Sequence, residues 1–196
     1  MNDLDLIRAY KDGDSAAFER LVDAYVDRIF SFVRRLSGDD TVAEDATQET
    51  FIKVWKGIVR FDENRSFRAW IFAIARNAAV DILRRRRDVP FASIDARGDD
   101  DSSFAESIVD DSPLPDIVAE DSELRRAIDA VLGKVDAVDR SIVLLHGSEG
   151  LTFEEIALIL DRPMNTIKSR YRRALLKLRV ELGGSRQAMM HQKVDL

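Results

Sequence analysis

Apolar residues recur every three to four positions along almost the whole of this sequence, and no stretch alternates with the two-residue period of a strand. With only 9 glycines and 4 prolines among 196 residues, little interrupts that pattern, and the chain is expected to be all-α. The repeats place helices near 3–11, 14–36, 40–58, 65–87, 121–134, 136–147, 152–160 and 163–182. The first four group as one bundle over 1–87, and the last four as a second, smaller one over 121–182. Residues 88–120 carry Pro90, Pro113 and Pro115, abundant Asp and Ser, and no sustained period, the composition of a flexible acidic linker. Phe91, Ile94, Phe104, Ile108 and Val109 within it are either anchors to a partner or incidental apolar residues. The tail 183–196 reads as disordered.

Within the second bundle, Thr152 and Glu155 have the spacing of a capping box ahead of Ile156, Ala157, Ile159 and Leu160. Asp161-Arg162-Pro163 stops that helix, and Pro163 suits the first turn of the next. In the longer helix that follows, Ile167, Tyr171, Ala174, Leu175, Leu178 and Leu182 fall on one stripe. Asn165, Thr166, Ser169, Arg172 and Arg173 project the other way. Hydroxyl, amide and guanidinium groups on an exposed face are what a helix needs in a DNA major groove, so the pair reads as a helix-turn-helix. An amphipathic surface helix with solvated charges is the plainer alternative.

The net charge of −6 (30 basic, 36 acidic) conceals segregation. Arg60 to Arg87 holds 8 basic and 3 acidic residues, +5, and Leu160 to Leu182 holds 7 and 2, again +5. Asp88 to Glu123 holds 1 and 12, −11. Two basic patches about an acidic segment fit two contacts with a polyanion. The absence of cysteine excludes thiolate zinc sites and disulfides. The acidic N-terminus lacks the layout of a signal peptide, and no apolar run approaches a membrane span, so a cytoplasmic protein is expected.

In the first bundle, Ala43, Ala46, Thr47, Phe51, Val54 and Ile58 share a core-facing stripe of the third helix. Its other face holds Asp45, Gln48, Glu49, Ile52 and Lys56. An isoleucine ringed by polar groups has the layout of a docking spot; a single exposed isoleucine is also ordinary. In the fourth helix, Phe67, Trp70, Ile71, Ile74, Ala75, Ala78 and Ile82 form the expected buried stripe. Ala69, Phe72, Ala73, Arg76, Asn77, Val80, Arg84 and Arg87 form the other side. There Arg76, Arg84 and Arg87 can neutralise phosphates and Asn77 can read a base edge. The preceding turn, Phe61 to Phe67, offers Asn64, Arg65 and Ser66 beside Phe61. That equipment can hold an unstacked base; alternatively Phe61 and Phe67 simply cap the core.

Together these stretches resemble the extracytoplasmic-function (ECF) group of sigma factors, in the sigma-70 superfamily. The resemblance is carried by Gly13-Asp14 with Ala17-Phe18 and Tyr25, and by Ala43-Glu44-Asp45 with Gln48-Glu49-Thr50-Phe51 and Trp55. It continues through Phe61, Ser66-Phe67, Trp70-Ile71 and Ile74-Ala75-Arg76-Asn77. In the second bundle it rests on Leu151 to Ala157, Pro163, Thr166 to Arg170 and Arg173-Ala174. It implies a region-2-like bundle that docks core RNA polymerase through Asp45, Gln48, Glu49, Ile52 and Lys56. The same bundle would meet the −10 element through Phe61, Asn64, Arg65, Ser66, Arg76, Asn77, Arg84 and Arg87. It implies a region-4-like bundle that meets the −35 element and the polymerase flap. Asn165, Thr166, Lys168, Ser169, Arg172 and Arg173 would contact the −35 DNA. Partners implied are core RNA polymerase, promoter DNA and an anti-sigma factor, with no cofactor and no metal. Two departures stand out. Glu63 replaces the usual glycine of the base-capturing loop, with Asn64 available for the turn, and Asn165 replaces a glycine at the start of the recognition helix.

A stand-alone helix-turn-helix regulator is the main rival, although no clear dimerisation stripe is present. An enzyme is disfavoured. His146 and His191 are the only histidines and have no spaced ligands, and His146 reads as a capping or surface residue. Asp45 and Glu49 read as a solvated pair rather than metal ligands.

Overall fold

The computed structural model describes residues 2–87 and 129–192, with side chains through Arg86 and from Asp129 to Glu181. The linker with its apolar residues, the start of the helix expected at 121–134, the last four residues and the side chains of Arg87, Leu182 and His191 lie outside the described residues. The described residues contain helices and turns and no strand.

Four helices make the first bundle. Helix α1 (Asp3–Lys11) opens on a capping box in which Asn2 and Asp5 each bond the other's backbone N–H. Helix α2 (Ser15–Ser37) is capped by Asp14 and ends at Gly38, whose φ of 72° suits a glycine C-cap. Helix α3 (Asp40–Gly57) is capped by Asp39 and runs into a 3-10 turn, Ile58–Arg60. Helix α4 (Phe67–Arg87) follows a short polar loop. Each side-chain cap contributes about 1 kcal/mol. The core gathers Leu21, Ile29 and Phe32 of α2, Val54 of α3, and Ile71 and Phe72 of α4, all at most 2% exposed.

Helix α4 departs from its expected two-sided pattern. Phe72, placed by periodicity on the outer face, is fully buried, whereas Trp70 and Ile74 are half-buried. The Phe72 ring meets Phe32 edge-on at 5.3 Å, and the Arg28 guanidinium lies 5.7 Å from its centroid. The reason is that α4 has neighbours on several sides: α3, α2 and, from the second bundle, the first helix of the helix-turn-helix.

The second bundle begins with helical residues 129–133. Helix α5 (Ala137–Val143) then widens into a π-helical turn, Leu144–Ser148, where the sequence pattern predicts uninterrupted α-helix. The Glu149 N–H reaches the Leu144 carbonyl, five residues back, at 3.1 Å. The wider turn swings His146 inward. Its Nδ1 is 2.8 Å from the Leu151 carbonyl, and its ring stacks on Phe153 at 4.2 Å. His146 is therefore a packed member of the aromatic cluster, rather than the capping or surface residue expected.

Helices α6 (Phe153–Leu160) and α7 (Met164–Gln192) complete the bundle. Asp161 at φ 50° is the one described non-glycine residue with positive φ, and Pro163 sits just before α7. Helix α7 continues through Gly183-Gly184 to Gln192, whereas the sequence predicts a disordered tail there. Two glycines weaken a helix by about 1 kcal/mol each, and the good helix formers after them carry the backbone on.

The two bundles touch. Arg28 of α2 bonds Glu149 at 2.8 Å, and Arg140 of α5 donates to the Leu36 carbonyl at 2.9 Å. Glu149 is buried; desolvation pushes its carboxyl above the usual carboxylate range, and Arg28 opposes that shift.

A second sheltered pair ties α5 to α7: Arg170 meets Asp139 at 3.0 Å, with Asp136 at 3.8 Å. Asp139→Ala is expected to destabilise the protein by about 2 kcal/mol, less than the full cost of an orphaned buried charge because Asp136 stays near Arg170. Asp139→Asn keeps a bond to Arg170 and should cost far less. Burial raises the Asp139 carboxyl above its usual range, with Arg170 opposing. The native state thus holds that proton more tightly than the unfolded chain, and stability is lost as pH rises through the raised value. Urea titrations across pH check both points, and the Asn variant should lose that part of the slope.

Candidate nucleic-acid interface and docking face

Three surfaces emerge once the helices are assembled. The first is the outer face of α3. Ile52 is 52% exposed within a rim of Asp45, Gln48, Glu49 and Lys56, of which only Glu49 is half-buried. Lys53 pairs with Glu49 at 2.7 Å. Trp55 at 56% and Val59 at 61% exposure extend the apolar centre beyond the one isoleucine that sequence reasoning singled out. The signal was present: 52, 55 and 59 are spaced three and four apart. It was obscured because an exposed tryptophan reads as core until the packing is known.

The second surface joins the 61–66 loop to the outer side of α4. Phe61 is not part of it. Its ring is buried, edge-on to Phe67 at 5.6 Å and tilted on Trp70 at 5.0 Å. This removes Phe61 from the candidate base-contacting set; of the two readings of this ring, core cap is what the packing realises. Asn64 takes part in the turn, as expected: the Arg65 N–H reaches the Asp62 carbonyl at 3.0 Å across Glu63 and Asn64. Asn64 keeps negative φ, and Asp62 organises the loop by accepting from the Asn64 N–H and Nδ2, both at 3.0 Å. Asn64 and Arg65 are exposed, and Ser66 is half-buried. On α4, Asn77 and Arg84 are exposed, while Arg76 lies partly buried with Nη1 3.4 Å from Asn77 Oδ1. Arg86 is drawn away toward Asp39 and Asp45 at 3.3 and 3.2 Å, which ties the end of α4 to the start of α3.

The loop is held at both flanks. Lys11 and Arg8 of α1 bond Glu63, and these bonds hold its carboxyl below the usual carboxylate range. On the other flank, burial raises the Glu155 carboxyl, but the Ser66 hydroxyl, Thr152 and the charge of Arg68 leave it below that range. The N-terminus of α6 therefore rests against the start of α4.

The third surface is the outward face of α7. Asn165, Ser169, Arg172 and Arg173 are exposed; Thr166 and Lys168 are half-buried. The Ser169 hydroxyl bonds the Thr166 carbonyl at 3.0 Å, and the Lys168 ammonium lies 5.9 Å from the Phe153 ring. The inward stripe is as the period predicts: Ile167, Tyr171, Ala174 and Leu178 are buried and Leu175 half-buried. Beside this surface a shallow groove lined by Leu158, Met164 and Glu154 leaves Leu158 78% exposed, a feature the sequence reading passed over. Among the described residues no group of acidic or histidine side chains has the layout of a metal site.

Known proteins share both modules. Sigma-70 region 2 matches residues 21–89, and sigma-70 region 4 matches 125–178. The ECF RNA polymerase sigma factor SigW of Bacillus subtilis is 32% identical over 176 residues, 90% of this chain and 94% of that protein. The RNA polymerase sigma factor CnrH of Cupriavidus metallidurans is 32% identical over 167 residues, 85% of this chain and 86% of that one. Among solved structures, CnrH in complex with the cytosolic domain of CnrY aligns with a TM-score of 0.66 at 26% identity, covering 93% of this chain and 97% of that one. The sigma factor RpoE of Bartonella quintana, in complex with the anti-sigma factor NepR, aligns at 0.65 and 26% identity, covering 85% and 96%. Two basic helical modules, an exposed apolar face and matches to both sigma-70 regions lead to one assignment: the chain belongs to the ECF group of the sigma-70 family.

Proposed function

We propose that this chain is an alternative sigma factor whose three surfaces divide the work of promoter opening. The apolar face formed by Ile52 and Trp55 of α3 and Val59 of the following 3-10 turn docks core RNA polymerase. The α7 face binds the −35 element as duplex, with Arg172, Arg173 and Lys168 on phosphates and Asn165, Thr166 and Ser169 near base edges. Asn64, Arg65, Ser66, Asn77 and Arg84 receive the unpaired −10 strand, with Arg76 and Arg87 adding positive charge nearby. Capturing an extruded base offsets an unstacking cost of a few kcal/mol. The exposed Leu158 groove suits the flap of the polymerase. No covalent chemistry is involved.

The observation that carries this reading is the apolar stripe on α3, ringed by polar groups, on the same bundle as an exposed Asn77 and a polar loop. The packing of α6 beside Ser66 adds a step. A strand that reaches Ser66 has to displace Glu155 from it. Each DNA face is small, and two weak sites become effective when polymerase fixes their separation. A similar sigma factor solved with an anti-sigma factor supports such a partner for this chain as well, and no described helix is long and apolar enough to cross a membrane. The proposed location is the cytoplasm.

Run-off transcription with core polymerase on a promoter library tests the reading. Enrichment of one −35 and −10 pair is the expected result. Tight promoter binding in gel shifts without core, unchanged when core is added, points instead to an independent regulator.

A further inference from the structure

The loop between the 3-10 turn and α4 is gripped from outside by α1. Lys11, the last residue of α1, donates to Glu63 Oε1 at 2.8 Å and to the Phe61 carbonyl at 3.2 Å. Arg8, one turn earlier, donates through Nε to Glu63 Oε2 at 2.8 Å. Both oxygens of one carboxylate are thus occupied by cations three residues apart on one helix face. The Lys11 side chain is 23% exposed and Glu63 30%, so this bond is partly sheltered; Arg8 at 60% is largely solvated and contributes less. Asp62 fixes the next turn through Asn64, and the Asn64 and Arg65 side chains stay exposed.

Two consequences follow. The loop is tied through the Phe61 carbonyl, the Glu63 side chain and the Asn64 N–H before any ligand arrives, so little ordering entropy is lost on binding. Glu63 would repel a phosphate if it stood alone. Lys11 and Arg8 offset that charge by pairing with both carboxylate oxygens.

We propose that Lys11, assisted by Arg8, is a positioning residue for −10 recognition: by holding Glu63 and the Phe61 carbonyl it sets the loop geometry on which base preference depends. This rests on the reading that the loop captures an extruded base. A glycine at 63 has no side chain for this grip, so Glu63 belongs to a working device.

The test uses the full chain with core polymerase and promoters carrying each of the four bases at each non-template −10 position. The readout is the ratio of open-complex formation between the best and worst base. Lys11→Ala should lower that ratio on the order of 5-fold, the scale of a partly solvated charge-assisted bond. Glu63→Ala should lower it too, the double variant should fall well short of the product of the two losses, and Lys11→Arg should keep the wild-type ratio. Core affinity should stay at the wild-type value, and the variants should remain folded at the assay temperature. The inference is overturned if Lys11→Ala keeps the wild-type ratio while Asn64→Ala or Ser66→Ala loses it. Additive effects of the two alanines, or an equal loss on all four bases, also overturn it. If the wild type discriminates at no position, the capture reading itself fails and takes this inference with it.

Discussion

Ile52→Glu is expected to abolish binding to core RNA polymerase while leaving the first bundle as stable as before. The side chain is half exposed on α3 and contributes little to the core, so the fold has no reason to respond. Binding does, because Ile52 belongs to an apolar patch with Trp55 and Val59, rimmed by Asp45, Gln48, Glu49 and Lys56. Apolar anchors dominate interface energetics, and a carboxylate there would be desolvated on docking. The two effects together amount to at least about 3 kcal/mol, or more than 100-fold in affinity. Trp55→Ala should weaken binding in the same assay, by about 2 kcal/mol. Fluorescence anisotropy of a labelled chain titrated with core measures both, and thermal melts check the fold. Wild-type affinity for Ile52→Glu would remove α3 as the docking face.

Arg172→Ala combined with Arg173→Ala should reduce −35-dependent transcription by about 10-fold and flatten its salt dependence by close to two counterions. Both side chains are exposed on α7, so their loss leaves the inward stripe of Ile167, Tyr171, Ala174 and Leu178 untouched. Their neighbour Arg170 serves as a control with the opposite profile. It is tied to Asp139 and belongs to the bundle's interior, so Arg170→Ala should lower stability first. Core affinity of the double alanine variant should be unchanged. Transcription that survives both substitutions at several salt concentrations would make these arginines ordinary surface residues.

Local rules account for much of this protein. The Thr152–Glu155 capping box forms as its spacing predicts, Asp161 and Pro163 separate the two helices of the motif, and the inward stripe of α7 follows the 3.6-residue period. These features depend on residues within a turn or two of one another, where side-chain type settles the outcome. The same logic placed Ile52 outside and Val54 inside on α3.

Other assignments depended on neighbours far away in the chain. Periodicity reports direction around a single helix axis, and it does not say how many partners that helix has. Helix α4 has partners on several sides, so Phe72 is buried on the face expected to be open, and Phe61 closes the core instead of facing a base. A π-helical turn rotates His146 into the aromatic cluster, a change of register that composition does not signal. The sequence by itself determined the all-helical class, the Thr152–Glu155 capping box and the inward stripe of α7, because those are short-range consequences of residue type. Only the tertiary structure decided which aromatic rings are spent on packing, that Trp55 and Val59 join Ile52 in the open, and that α1 reaches across to Glu63. Those outcomes turn on which helices meet, and burial and charge pairing are properties of the meeting rather than of either strand of sequence alone.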